Sequence, residues 1–116
     1  MDVESIRTHC LSKNLAQESM PFGNEPLVFK VNNRIFLLLS LDQHPPRINV
    51  KCDPEKAVAL REEYSCVLPG YHMSKQHWNT VVIDGSVPDK LVKEWIDESY
   101  NLIVASLPKR VRDEMS

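Results

Sequence analysis

The sequence has few of the residues on which several kinds of functional site depend. It contains only 3 glycines among 116 residues, so no glycine-rich loop that cradles a phosphate can be drawn. Its 3 cysteines, Cys10, Cys52 and Cys66, are odd in number and lack a Cys-x-x-Cys spacing. This pattern speaks against a disulfide framework and against a zinc knuckle. We therefore expect reduced thiols that are mostly buried.

Long apolar runs and excess positive charge are also absent. No segment approaches the length of a membrane span, and the first ten residues, MDVESIRTHC, are amphipathic and acidic rather than basic and then apolar like a secretory signal. The 14 Lys and Arg are outnumbered by 16 Asp and Glu, so nucleic-acid binding would require a local basic patch. The composition predicts one soluble domain over residues 1–116, located in the cytoplasm and not in a membrane.

Apolar periodicity in the first half predicts one helix followed by three strands. The three-and-four spacing in 3–13 is typical of an amphipathic helix. Strands near 27–31 and 34–41 flank Asn32-Asn33, a pair that tolerates the positive φ of a tight turn. After Pro45-Pro46, a third strand alternates, with one face made of Ile48, Val50 and Cys52 and the other of Arg47, Asn49 and Lys51.

The second half adds helices and short strands. Asp53 is the expected N-cap of a helix with Pro54 in its first turn. A short strand at 66–68 and a last strand at 80–83 precede a long helix that follows Pro88 and ends near Leu107, and the tail is read as a turn. This order predicts an α+β sandwich, an antiparallel sheet with helices mainly on one face.

Enzyme and metal signatures are not found. His72 and His77 are five residues apart, which places them on different sides of a helix or opposite faces of a strand, and no carboxylate or Cys accompanies them at ligand spacing. Cys66 has no identifiable base partner, and no Gly-x-Ser-x-Gly elbow occurs. We expect a protein without catalytic residues, bound metal or cofactor.

The aromatic residues allow two interpretations. Trp78 is either a core anchor at a strand entry, which we favour because Trp is highly buried on average, or a partly exposed platform for a ligand. The apolar stripe of the last long helix predicts a buried Trp95. Tyr71 and Tyr100 are expected at the boundary, with their hydroxyl groups near water.

Basic side chains from neighbouring elements suggest a binding surface. Their positions predict a positive patch on the open face or edge of the sheet, although charged residues that merely solvate an exposed sheet face would look the same. The candidate nucleic-acid or anion-binding residues are Lys30, Arg47, Lys51, His72, Lys75 and His77.

Several short motifs occur together in a familiar order. They are the Pro-Phe-Gly turn at 21–23, VFKV, VKCDPEKAVALREEY, Lys75, His77-Trp78, Asp84-Gly85 and Ser99-Tyr100. Over nearly the whole chain the sequence resembles the MmcQ/YjbR family of small bacterial proteins. The resemblance implies a CyaY-like α/β sandwich, similar in architecture to bacterial frataxin, and a DNA-binding role described as a double-wing motif.

The sequence and the resemblance together give two functional hypotheses. The first is a non-enzymatic DNA-binding protein, with gene regulation as one role, that uses the local basic patch for phosphates. The alternative is a module of the same fold that binds a protein partner or a small anion in the same groove.

Overall fold

The computed structural model describes residues 1–71 and 73–115. Its six strands form one antiparallel sheet in the order β1-β2-β3-β4-β6-β5, so β1 and β5 are the edges. This architecture confirms the predicted α+β class. The strands are β1 Ala16–Ser19, β2 Leu27–Val31, β3 Arg34–Ser40, β4 Arg47–Lys51, β5 Val67–Pro69 and β6 Trp78–Val82, and the helices are α1 Val3–Leu11, α2 Pro54–Glu63, α3 Asp89–Ala105 and α4 Lys109–Met115.

Local capping sets the helix starts. The Asp2 carboxylate accepts a hydrogen bond from the Ser5 backbone N–H, and the Ser5 hydroxyl accepts one from the Asp2 N–H, which together make a capping box. Asp53 caps α2 through the Lys56 N–H, with Pro54 in the first turn as the sequence predicts. No helix within the described residues combines the length and apolarity needed to cross a membrane.

The core lies between the sheet and the helices, which share one face. Strand alternation sends Ile48 and Val50 of β4 to this side, as predicted, and α3 crosses the central strands. Trp95 of α3 is only 4% exposed, which confirms its place in the core. The largest side chains with no exposed surface are Phe29, Phe36, Ile6, Leu37, Leu39, Ile48 and Ile96.

A β-bulge in β3 explains why apolar residues occupy both odd and even positions of this strand. Phe29 pairs with Leu37 and Lys30 pairs with Ile35, so Phe36 is the extra residue. Phe36 and Leu37 are both fully buried in the core, whereas Ile35 is only half-buried. The Phe36 ring packs edge-on against Tyr100, with 5.3 Å between ring centroids.

Ser99 of α3 joins two strands next to the bulge. Its hydroxyl accepts a 2.8 Å hydrogen bond from the Lys51 backbone N–H and donates one of 2.6 Å to the Phe36 carbonyl. Ser99 is fully buried, so neither backbone group has water as an alternative partner. The hydroxyl group therefore replaces a rung of the ladder between β3 and β4.

Three features differ from the sequence-based expectations. Strand β1, with the sequence AQES, was not predicted, because a four-residue edge strand gives too little alternation to recognise. The tail forms α4 rather than a turn. The boundary prediction for Tyr100 is wrong: the residue is 9% exposed, and its hydroxyl group donates to the Asn14 carbonyl at 2.7 Å because α1 and the following turn cover it.

Candidate nucleic-acid interface

The sheet face opposite the helices, here called the open face, carries three rows of side chains that run across the strands. The registers place Arg47 in an end row, Asn49 in the middle row and Lys51 in the other end row. From β2 towards β6, the first end row holds Ser40, Arg47 and Val82, and the middle row holds Val28, Leu38, Asn49 and Thr80. The other end row consists of two pairs, Lys30 with Ile35 and Lys51 with Trp78, on either side of the bulge.

Three loops wall the middle of this face and leave a groove of about 650 Å³, here called the open-face groove. The loops at 20–26 and 41–46 stand at the end of the sheet near Arg47, and residues 70–71 and 73–77 lie at the opposite corner. The groove is lined by Phe22, Glu25, Pro26, Ile35, Leu38, Ser40, Asp42, Gln43, Arg47, Asn49, Tyr71, Met73 and Thr80.

Backbone contacts hold Gly70 and Tyr71 against β6. The Gly70 N–H donates to the Trp78 carbonyl at 3.0 Å, and a Cβ at Gly70 would lie 2.8 Å from the Trp78 Cβ, so only glycine fits. The Tyr71 N–H then donates to the Thr80 hydroxyl at 3.0 Å. These contacts place Tyr71 against the middle row.

The Thr80 hydroxyl joins the Tyr71 backbone to the Asn49 side chain. Because the Thr80 hydroxyl accepts from Tyr71, its proton is available to Asn49, whose Oδ1 lies 2.5 Å away. The Asn49 amide nitrogen is thereby left without a hydrogen-bond partner among the described residues. The groove floor offers two N–H donors to a ligand.

The cationic side chains of the open face flank the groove rather than forming one continuous patch. Arg47 lines the groove, whereas Lys30 and Lys51 lie in the end row on the other side of the uncharged middle row. Along β4, three residues lie between Arg47 and Lys51, which are therefore about 13 Å apart. None of these three cations forms an ion pair with another described residue. Each charge is free to meet an external anion.

Comparisons with known proteins agree with this architecture and its motifs. The YjbR family model matches residues 11–102. The chain belongs to the YjbR family. It is 39% identical to the uncharacterized protein YbdF of Escherichia coli O157:H7, covering 95% of this chain and 93% of the relative. It is 32% identical to the uncharacterized protein YjbR of Escherichia coli strain K12, covering 97% of this chain and 95% of the relative.

A solved structure shows that the fold is shared. The crystal structure of Deinococcus radiodurans protein DR2400, which carries the domain DUF419, superposes with a TM-score of 0.94 at 37% identity. The match covers 98% of this chain and 87% of that chain. Because the YjbR-family relatives are described as uncharacterized proteins, the family establishes the fold, and the function must be argued from the open face.

The residues that carry the YjbR resemblance in the 70–77 loop lie beside the groove. Lys75 is exposed, and its Nζ donates to the Gly70 carbonyl at 3.2 Å. The side chain therefore links two positions of the same loop. His77 is also exposed, while its carbonyl accepts from the Cys52 N–H at 2.8 Å. Neither side chain lines the groove. His72, the remaining predicted binding residue, lies outside the described residues.

The prediction that Trp78 is a buried core anchor is wrong. Strand alternation sends Asn79 and Val81 of β6 to the helix side, which leaves Trp78 on the open face, opposite Lys51. The Trp78 ring is half-buried and lies outside the core cluster. Its Cβ packs against Gly70, so the residue supports the loop rather than the core.

The sequence interpretation missed the two aromatic residues that project most from the groove walls. Phe22 and Tyr71 are each 66% exposed, and they stand on loops at opposite corners of the open face. The sequence did contain a signal for the exposure of Phe22, because Pro21 and Gly23 on either side of it are typical turn residues and a turn lies away from the core. The groove walls also carry the carboxylates of Glu25 and Asp42.

Proposed function

We propose that this YjbR-family protein is a non-enzymatic DNA-binding protein of the cytoplasm that binds DNA on its open face, with gene regulation as one role. The observation that supports this proposal is the set of three cations without an ion-pair partner among the described residues, Lys30, Arg47 and Lys51, which are half-buried on one sheet face. Antiparallel sheets commonly leave one face to solvent, and cations held there attract phosphate groups without first breaking an internal ion pair.

The chemistry of two of the three thiols argues against a covalent role for them. Burial raises the pKa of Cys10 to about 12, and burial also raises the pKa of Cys52. Both thiols are therefore protonated at neutral pH, whereas a nucleophilic cysteine acts as the thiolate. Neither cysteine lines the open-face groove.

Salt dependence of DNA binding tests the proposal at Arg47. We expect the Arg47→Ala variant to bind fluorescein-labelled DNA more weakly and to lower the slope of log K against log salt by about one unit, because one phosphate contact is lost. Fluorescence anisotropy titrations between about 50 and 200 mM salt measure this slope. Lys93→Ala is the matched control, since Lys93 is an exposed cation of α3 on the other side of the molecule, and its slope should equal that of the wild type.

Two results would reject the proposal. The first is an absence of DNA binding by the wild-type protein at about 50 mM salt, where electrostatic binding is strong. The second is equal loss of affinity in Arg47→Ala and Lys93→Ala, which would show that only net charge matters.

The size of the groove favours one second candidate, a small-anion-binding module. Its volume of about 650 Å³ lies in the range typical of ligand pockets, roughly 300–1,000 Å³, and Arg47 supplies a cation at its wall. Isothermal titration calorimetry with a nucleoside monophosphate distinguishes the candidates. Saturable binding of one monophosphate per chain, without measurable DNA binding, would favour this alternative.

A further inference from the structure

The two ends of the sheet differ in the sign of their charge. At the end near Arg47, three loops leave the strands, and together they contain three carboxylates and no Lys or Arg. We call this the acidic end; its loops are 20–26, 41–46 and 83–88, and its carboxylates are Glu25, Asp42 and Asp84. The opposite end, here called the basic end, surrounds the turn between β2 and β3. Its cations are Lys30, Arg34, Lys51, Lys75, Lys109 and Arg110.

Neighbouring strands bring three of these cations to the basic end. Lys30 of β2 and Lys51 of β4 lie on the open face, two strand spacings or about 10 Å apart. Arg34 begins β3 between them, but it pairs with the buried residue Val31, so its side chain is on the helix side of the sheet. Its Nη1 donates to the Ser106 carbonyl at 3.5 Å and lies 3.3 Å from the Ser106 hydroxyl oxygen. The cations therefore occupy both sides of this end.

The chain after α3 adds two further cations beside Arg34. Lys109 follows Ser106 by three residues, so their Cα atoms are at most about 11 Å apart, and Arg110 is the next residue of α4. Arg34, Lys109 and Arg110 are all exposed. At the other side of the end, Lys75 precedes Trp78, which pairs with Lys51. The basic end thus continues from the open face round the β2–β3 turn to α4.

The charges of the basic end are not neutralised within the protein. None of the six cations forms an ion pair with another described residue. The connecting segments at this end contain one acidic residue, Asp53, whose carboxylate already accepts from the Lys56 N–H at the start of α2. Even with Asp113 and Glu114 of α4 added, six cations stand against three carboxylates. This end attracts polyanions although the whole chain has a net charge of -2.

We propose that duplex DNA lies across the basic end, so that its phosphate contacts continue from the open face round the β2–β3 turn to Arg34, Lys109 and Arg110; this inference rests on the proposed DNA-binding function. A duplex presents phosphates on two strands at once, with one negative charge per about 1.7 Å of axis, so it can meet cations on both sides of the sheet end. The acidic end points away from the DNA, because its carboxylates repel phosphates.

Anisotropy titrations with a fluorescein-labelled duplex at several salt concentrations test the inference. We expect the Lys109→Ala/Arg110→Ala double variant to bind more weakly and to lower the slope of log K against log salt by about two units, and Arg34→Ala to lower it by about one. Lys90→Ala/Lys93→Ala is the matched control. It removes the same two positive charges from exposed positions in the first turns of α3, near the acidic end, and should keep the slope of the wild type.

The outcomes separate this inference from the proposed function. If the wild-type protein binds no duplex at about 50 mM salt, the proposed function fails and this inference fails with it. If Arg47→Ala lowers the slope while Lys109→Ala/Arg110→Ala and Arg34→Ala match the control, DNA binds on the open face alone and the inference fails. Thermal denaturation shows whether each variant is folded, and a folded double variant with a lowered slope supports the inference.

Discussion

Replacing Phe36 with alanine is expected to lower the free energy of unfolding by about 3–5 kcal/mol, a large part of the roughly 5–15 kcal/mol that stabilises a typical domain. The bulge in β3 turns this ring into the core, where it has no exposed surface and contacts the rings of Phe29 and Tyr100. Truncation leaves a cavity bounded by the sheet and α3, and packed neighbours fill it only in part. Urea denaturation monitored by circular dichroism measures the loss.

The neighbouring residue Ile35 provides the matched control. Because the bulge places Ile35 on the open face and half-exposes it, Ile35→Ala should cost roughly 1 kcal/mol or less. Without the bulge, strict alternation would put Ile35 and Leu37 on one face and Phe36 on the other. A larger loss at Ile35 than at Phe36 would show that the register of β3 is wrong.

The Ser99→Ala variant is expected to lose about 2–4 kcal/mol although it removes only one oxygen atom. The Ser99 hydroxyl is the partner of both the Lys51 N–H and the Phe36 carbonyl, and a buried polar group without a partner costs about 1–3 kcal/mol. The same change should accelerate hydrogen exchange at the Lys51 amide, because the N–H loses its acceptor. Denaturation and amide exchange followed by NMR measure the two effects.

Ser106→Ala is the corresponding control at the end of α3. The Ser106 hydroxyl also donates to a carbonyl, that of Ile103, but the residue is exposed, so water can replace the contact and the cost should stay within about 0.5 kcal/mol. Similar losses in the two variants, or unchanged exchange at Lys51, would contradict the bridging role of Ser99.

Much of the fold could be predicted because strong local signals agreed with the tertiary structure. Asp53 and Pro54 determine the start of α2, Asn32 and Asn33 adopt the positive φ that their turn requires, and alternation assigned both faces of β4 correctly. The bulge was not predictable, since a run of apolar residues contains no signal for the position of an extra residue. It became visible only from the pairing of Lys30 with Ile35.

The candidate site was predicted less completely because it depends on loops. Alternation placed Arg47 and Lys51 on the open face of β4, but no local pattern shows that Tyr71 turns back onto Thr80. The position of Trp78 was predicted wrongly because we gave more weight to the average burial of tryptophan than to the alternation of side chains along β6. Phe22 and Tyr71 are far apart in the sequence and lie on loops at opposite corners of the sheet. The sequence therefore does not show that they line one groove.

The most direct test of the central proposal, that the open face binds DNA, is a titration of the ¹⁵N-labelled protein with a short DNA duplex followed by amide chemical shifts. We predict that the largest shift changes occur at Phe22, Arg47, Asn49, Tyr71 and Thr80, which line the groove, and at the side-chain amide of Asn49. Amides on α2 and on the exposed side of α3 should not move. Shift changes confined to those helices, or no changes at a DNA concentration that saturates the anisotropy signal, would contradict the account.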